Sequence, residues 1–195
     1  MTKISLSLCI LLPSAAVSAF SIRPLTAPAG YTLKETVCRT HTMQQDGFRF
    51  DKQPPHSYLV RRSGSFRIVF PDGRAASDTA YRNAKCAEPY GYILQDSNGK
   101  WGLADGKGRQ ILPPSLGQIS DFRHGLAILS NRSDGQHDKN TRYGYIDRQG
   151  KIVQPARFTA ASPLAEEIDK RIYGRATDAQ VQHWKISPSG QAERD

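Results

Sequence analysis

The 195 residues contain no Gly-x-Ser-x-Gly elbow, no Gly-rich phosphate loop and no His-Glu-x-x-His pair. The usual signatures of serine hydrolases, nucleotide binders and zinc proteases are therefore missing. Cysteine is scarce, with three in all, and neither cysteines nor histidines cluster at zinc-ligand spacing. The five histidines, His41, His56, His124, His137 and His183, are scattered. The apolar run Ile4–Leu12 is too short to span a bilayer as a lasting anchor. These gaps leave no catalytic residue, cofactor or metal to assign, and the chain is expected not to be an enzyme.

What is present begins with a targeting pattern. Lys3 precedes the apolar run, and "PSAAVSA" then ends in small residues at Ala19, with Val17 two positions before it. This order of charge, apolar run and small residues is that of a secretory signal peptide. It predicts removal of residues 1–19, a mature chain beginning near Phe20, a periplasmic or secreted location and no remaining membrane span. Cys9 lacks the small-residue context of a lipoprotein cleavage site. A buried core helix is the alternative, and it leaves the cleavage pattern unexplained.

Removing the signal leaves Cys38 and Cys86, an even pair in an exported chain, which reads as one disulfide. Chain entropy gives such a crosslink roughly 4 kcal/mol of stabilisation at best. Two buried free thiols are the alternative. A disulfide here would tie the N-terminal segment, residues 20–57, onto the rest, residues 58–195.

Net charge is +9, unevenly spread: residues 20–86 hold eleven Lys/Arg against five Asp/Glu. Within "FRFDKQPPHSYLVRR", Phe48, Phe50 and Tyr58 interleave with Arg49, Lys52, Arg61 and Arg62. Arg49, Arg61 and Arg62 are candidate contacts to an acidic protein partner or an anionic envelope polymer, or else a solvated strand face. Basic grooves with aromatic platforms also bind single-stranded nucleic acid, but export argues against that partner.

The strongest signal is internal repetition. "KWGLADGKG" begins at Lys100 and "RYGYIDRQG" at Arg142; "FRIVFPDG" and "HWKISPSG" repeat the interval from ring to glycine more loosely. In the last, Trp184 falls one place late, behind His183. The chain thus holds about four units, the outer ones degenerate. Gly73, Gly108, Gly150 and Gly190 each close a four-residue reversal that starts at Phe70, Asp105, Asp147 or Ser187. That chemistry predicts hairpins closed by a left-handed glycine. With a second reversal at Ser63-Gly64 and Asn98-Gly99, each unit reads as a three-stranded meander. "ILPP" and "IVQP" are expected to end third strands, since proline donates no ladder hydrogen bond. The glycine after each ring marks a bulge or a close backbone approach. The expected fold is all-β: tandem antiparallel meanders stacked as a small array, with Trp101, Phe122, Leu126 and Tyr143 at the junctions.

The pattern resembles the bacterial WG-repeat, or KWG-repeat, family. Trp101, Gly102, Asp105, Gly108, Pro114, Phe122, Gly125, Leu126 and Ala127 carry the resemblance in one unit. Tyr143, Gly144, Ile146, Asp147, Gly150, Lys151 and Pro155 carry it in the next. Elsewhere it is weaker: Phe66 is followed by arginine rather than glycine, and Gly73 still closes the turn. The resemblance implies a β-rich repeat module, exported or attached to other domains, with no catalytic residues to transfer.

The insertion "NRSDGQHDKNT" supplies Asp134, His137 and Asp138, which fit neither a calcium loop nor zinc spacing. It reads as a surface tip, and also as the first place to look for a protein contact. The leading expectation is an exported non-enzymatic binding or scaffold module. Alternatives are an immunity-type protein that neutralises an envelope-acting toxin, and a cell-wall hydrolase.

Overall fold

A computed structural model describes residues 27–39, 56–87, 91–133, 138–168 and 170–195. The expected signal segment, residues 1–19, lies outside them. No described residue is helical, and the described strands fall into four antiparallel sheets. The first comprises β1 (Thr36–Arg39), β2 (Tyr58–Arg62) and β3 (Ser65–Val69). The second comprises β4 (Asn83–Ala87), β5 (Gly91–Gln95), β6 (Trp101–Asp105) and β7 (Gln110–Leu116). The third comprises β8 (Gln118–Ile119), β9 (Leu126–Ser130), β10 (Tyr143–Asp147) and β11 (Ile152–Phe158). The fourth comprises β12 (Ala160–Ala161), β13 (Ala165–Glu166), β14 (Ile172–Thr177), β15 (His183–Ile186) and β16 (Ala192–Arg194). The second, third and fourth sheets each contain the expected three-stranded meander. In the first unit the strand expected after Gly73 is only an isolated bridge between Val69 and Ala75, and β1 completes the sheet on the other side of β2. From the second onward, an additional strand leads each meander.

Strand alternation explains why the sheets stack. Successive side chains point to opposite faces, so Tyr92 and Leu94 of β5 join Leu59 and Ile68 in one core. Ile93, between them, joins Trp101, Leu103, Ile119, Leu129 and Ile146 in the next. The third core gathers Leu126, Tyr145, Phe158, Leu164, Ala176 and Ile186. Each core thus lies between consecutive sheets, and each inner sheet is buried on both faces. The four expected junction residues fall here: Trp101 and Leu126 are buried, while Phe122 and Tyr143 are partly buried against the second and third cores.

The reversals share one hydrogen-bond pattern. At Asp105–Arg109, the Gly108 N–H donates to Asp105 O (3.0 Å), and the Asp105 N–H donates to Arg109 O (2.9 Å). Asp105 Oδ1 also accepts from the N–H groups of Lys107 (2.9 Å) and Arg109 (2.8 Å). Asp147 repeats both bonds, to Gln149 and Lys151 at 2.9 Å each. Gly108 has φ 79° and Gly150 φ 80°, a region that an L side chain enters only at a cost. A Cβ on Gly150 would also lie 3.0 Å from Ile111 of the preceding sheet. One on Gly108 would lie 2.7 Å from Ala76, and one on Gly190 2.5 Å from Val153. Each of these turns rests its glycine on the unit before it.

The prolines do not end the third strands. β7 runs through Pro113 and Pro114, and β11 runs through Pro155. Both are edge strands, where a missing donor is tolerated, and both bulge at the proline. Leu103 pairs with Leu112, but Trp101 pairs with Leu116; Tyr145 pairs with Gln154, but Tyr143 pairs with Phe158. The bulge presses on the glycine opposite. A Cβ on Gly102 would lie 2.7 Å from Pro114 N, and one on Gly144 2.7 Å from Pro155 C. The glycine after the ring and the proline of the next strand are therefore one feature: a close backbone approach.

The apolar outer face of the first sheet, Tyr58, Val60 and Val69, is covered by Tyr31. The Ala29 N–H donates to Pro71 O (2.9 Å), and the Arg61 N–H donates to Glu35 O (2.8 Å). Arg62 clamps this cap. Its Nε donates to Glu35 Oε1 (2.5 Å), its Nη2 donates to Gly30 O (2.7 Å), and its guanidinium lies 4.1 Å from the Tyr31 ring centroid. Cys38 of β1 is disulfide-bonded to Cys86 of β4, with Cα atoms 6.4 Å apart. The N-terminal region is thus tied to the second sheet as well as paired to the first.

Candidate functional site

The turns Arg62–Ser65 and Asp96–Lys100 bring the ends of the first and second sheets together around a cleft of about 660 Å³. Arg61 and Phe66 line it from the first sheet. Arg82, Asn83, Gln95, Asn98 and Gly99 line it from the second, and Ser133 borders it from the base of the long insertion. Register places these side chains. Arg61 pairs across the strand with Phe66, Phe66 bridges to Tyr81, and Asn83 pairs with Gln95.

The cleft is cationic. The Arg61 guanidinium lies 5.4 Å from the Phe66 ring centroid, a cation–π contact that fixes it at the wall without neutralising it. Arg62, Arg74, Arg109, Arg132 and Arg175 all pair with carboxylates, whereas among the described residues Arg61 and Arg82 form no ion pair. Among the described residues, no carboxylate lines the cleft. Gln95 Nε2 donates to Gly99 O (3.0 Å), and Asn83 Oδ1 accepts from the Ala84 N–H (2.9 Å). Gln95 Oε1 and Asn83 Nδ2 are left as an acceptor and a donor.

The residues expected to bind a partner have different fates. Arg61 lines the cleft. Arg62 is engaged in the N-terminal cap, and it holds the Glu35 carboxyl down at about 2, with the Thr32 N–H and hydroxyl adding to the effect. Asp138 accepts from the Asn140 N–H (2.8 Å) and pairs with Arg132 (2.7 Å), closing the base of the insertion. The Asn140 N–H first of all, with the Arg132 charge behind it, holds its carboxyl below the ordinary range against partial desolvation. Arg49, Asp134 and His137 lie outside the described residues. Among the described residues, no group of three or more His, Cys, Asp or Glu side chains is placed to hold a metal ion.

Sequence reasoning missed Arg82, Asn83, Gln95 and Asn98 as site residues. Asn98 was legible only as a turn. Asn83 could have been paired with Gln95 had "NAKCA" looked like a strand, but its propensity is poor.

Residues 101–132 and 143–168 match the family model of the WG containing repeat. Each match begins at a ring, Trp101 or Tyr143, and crosses from the last two strands of one sheet into the first two of the next. A WG-like unit in sequence is therefore offset by half a sheet from the unit of structure. Its matched glycine and proline are those that meet at the bulge. Among curated proteins, none matches the chain.

Proposed function

We propose that the protein is an exported, non-enzymatic recognition module that binds an acidic protein partner or an anionic component of the cell envelope. The observation behind this reading is the cleft between the first two sheets, where Arg61 and Arg82 stand without a carboxylate partner among the described residues. Unneutralised guanidinium groups in a concave site attract anions and bind carboxylate or phosphate in a forked geometry. The signal pattern supports export, and the Cys38–Cys86 bond fits an oxidising compartment. The match to a β-repeat module fits a rigid scaffold that presents such a site. Among the described residues the lining is made of arginines and amides, a set that suits holding an anion.

Cell fractionation with N-terminal sequencing tests export: the protein should leave the cytoplasm and begin near Phe20. Retention on immobilised envelope material tests binding. It should saturate and weaken as salt rises, because exposed charge pairs are screened. Failure to be retained at low salt would reject the recognition role.

A further inference from the structure

We propose that the cleft between the first and second sheets is a site for an acidic saccharide, its anionic substituent held by Arg61 and Arg82 and its hydroxyls by the side-chain amides. This rests on the recognition role above and names the ligand class. The amides favour an acidic sugar over an acidic peptide. Asn83 Nδ2 offers donors while Gln95 Oε1 offers an acceptor, because Asn83 Oδ1 and Gln95 Nε2 are already used by the Ala84 N–H and Gly99 O. Asn98 adds a further exposed amide. A sugar hydroxyl donates and accepts at once, so it satisfies both kinds of group. A glutamate side chain brings acceptors alone, so a peptide could serve Gln95 Oε1 only from its backbone N–H groups, whereas every hydroxyl of a sugar can serve either amide.

The remaining lining fits the same ligand. Among the described residues Phe66 is the one large apolar side chain in the cleft, and Arg61 lies over its ring. Little is left to hold an apolar side chain of a peptide. The arginine forks accept either a carboxylate or a phosphate, so a uronate and a phosphorylated sugar share the required chemistry.

Titration calorimetry of the purified protein at low and physiological salt tests this with four probes. Trigalacturonate presents the carboxylate, glucose 6-phosphate the phosphate, galactotriose neither, and hexaglutamate the charge without the hydroxyls. At least one charged sugar should bind, and galactotriose and hexaglutamate should bind at least about tenfold more weakly. Arg61→Gln and Arg82→Gln should each cost about tenfold in affinity for the preferred sugar, as expected for loss of a charge-assisted hydrogen bond. Arg82→Lys, which keeps the charge but loses the fork, should fall between wild type and Arg82→Gln. Both arginines are exposed, and unchanged near-ultraviolet circular dichroism identifies folded variants. Hexaglutamate binding as tightly as the sugars would overturn the assignment in favour of an acidic peptide. Wild-type affinity in folded Arg61→Gln and Arg82→Gln proteins, or no binding of either charged sugar, would also overturn it. If those variants still adhere to envelope material as wild type does, the cleft assignment fails alone; if wild type does not adhere, the recognition role fails as well.

Discussion

Val181 shows what the turn glycines do by lacking what they have. The turn Asp178–Gln182 has the same hydrogen-bond pattern as the glycine-closed turns, with the Val181 N–H donating to Asp178 O (3.1 Å). Val181 nevertheless occupies the left-handed position with φ 60°, and it is 73% exposed, so packing gives nothing back. A left-handed backbone costs an L residue roughly 1–2 kcal/mol, more when it is β-branched. Val181→Gly should therefore raise stability by about 1 kcal/mol, or about 2–4 °C in melting temperature. A thermal melt that moves downward would refute the strain. Gly144 presents the opposite case. Its φ is ordinary, but a Cβ there meets the backbone of the Pro155 bulge, which cannot step aside. Gly144→Ala should lose about 2–3 kcal/mol in denaturant titration, as overpacking against rigid structure does. Trp184 occupies the corresponding place in the fourth sheet without a clash, because it pairs in regular register with Arg194 and no bulge opposes it.

At the scale of elements, legibility follows the chemistry of the turns. Gly73, Gly108, Gly150 and Gly190 were readable because few residues other than glycine suit a left-handed position next to a neighbouring unit. The turns Glu167–Arg171 and Asp178–Gln182 were not, because Lys170 and Val181 occupy the left-handed position and no glycine marks either reversal. β8, β12 and β13 are two-residue strands held by their neighbours, too short to leave a pattern. The proline strands were misread because edge position and bulge, which make proline tolerable, are tertiary facts. The cleft was illegible for a related reason: Arg61 and Arg82 meet only once two sheets are in register. The cap is testable as an element. With Glu35 held at about 2 against an ordinary 4.5, its clamp contributes fully above pH 4.5 and is lost as pH falls through 2. An NMR titration should place the shift of the Arg62 Nε–H near pH 2. A midpoint at the ordinary 4.5 would mean the clamp does not form.

At the scale of the molecule, three cores between four sheets make stability a chain of neighbour contacts. Damage should stay local. Replacing both Cys38 and Cys86 with serine should cost up to about 4 kcal/mol, and amide exchange should rise first in the first sheet and its cap. Equal loss of protection in the fourth sheet would mean that the array unfolds as one unit instead. The outward side chains of that last sheet are polar and charged: Arg175 and Lys185 both pair with Asp195, so this face needs no apolar cover.

The glycine-on-neighbour contact gives the array a direction. Each hairpin tip fits what lies behind it, and the second and third units carry on their next strand the seat for the one ahead. Plug and socket travel together in one short stretch of chain. Such a part can be copied in tandem without redesigning its neighbours, so length becomes a variable that gene duplication can change one module at a time.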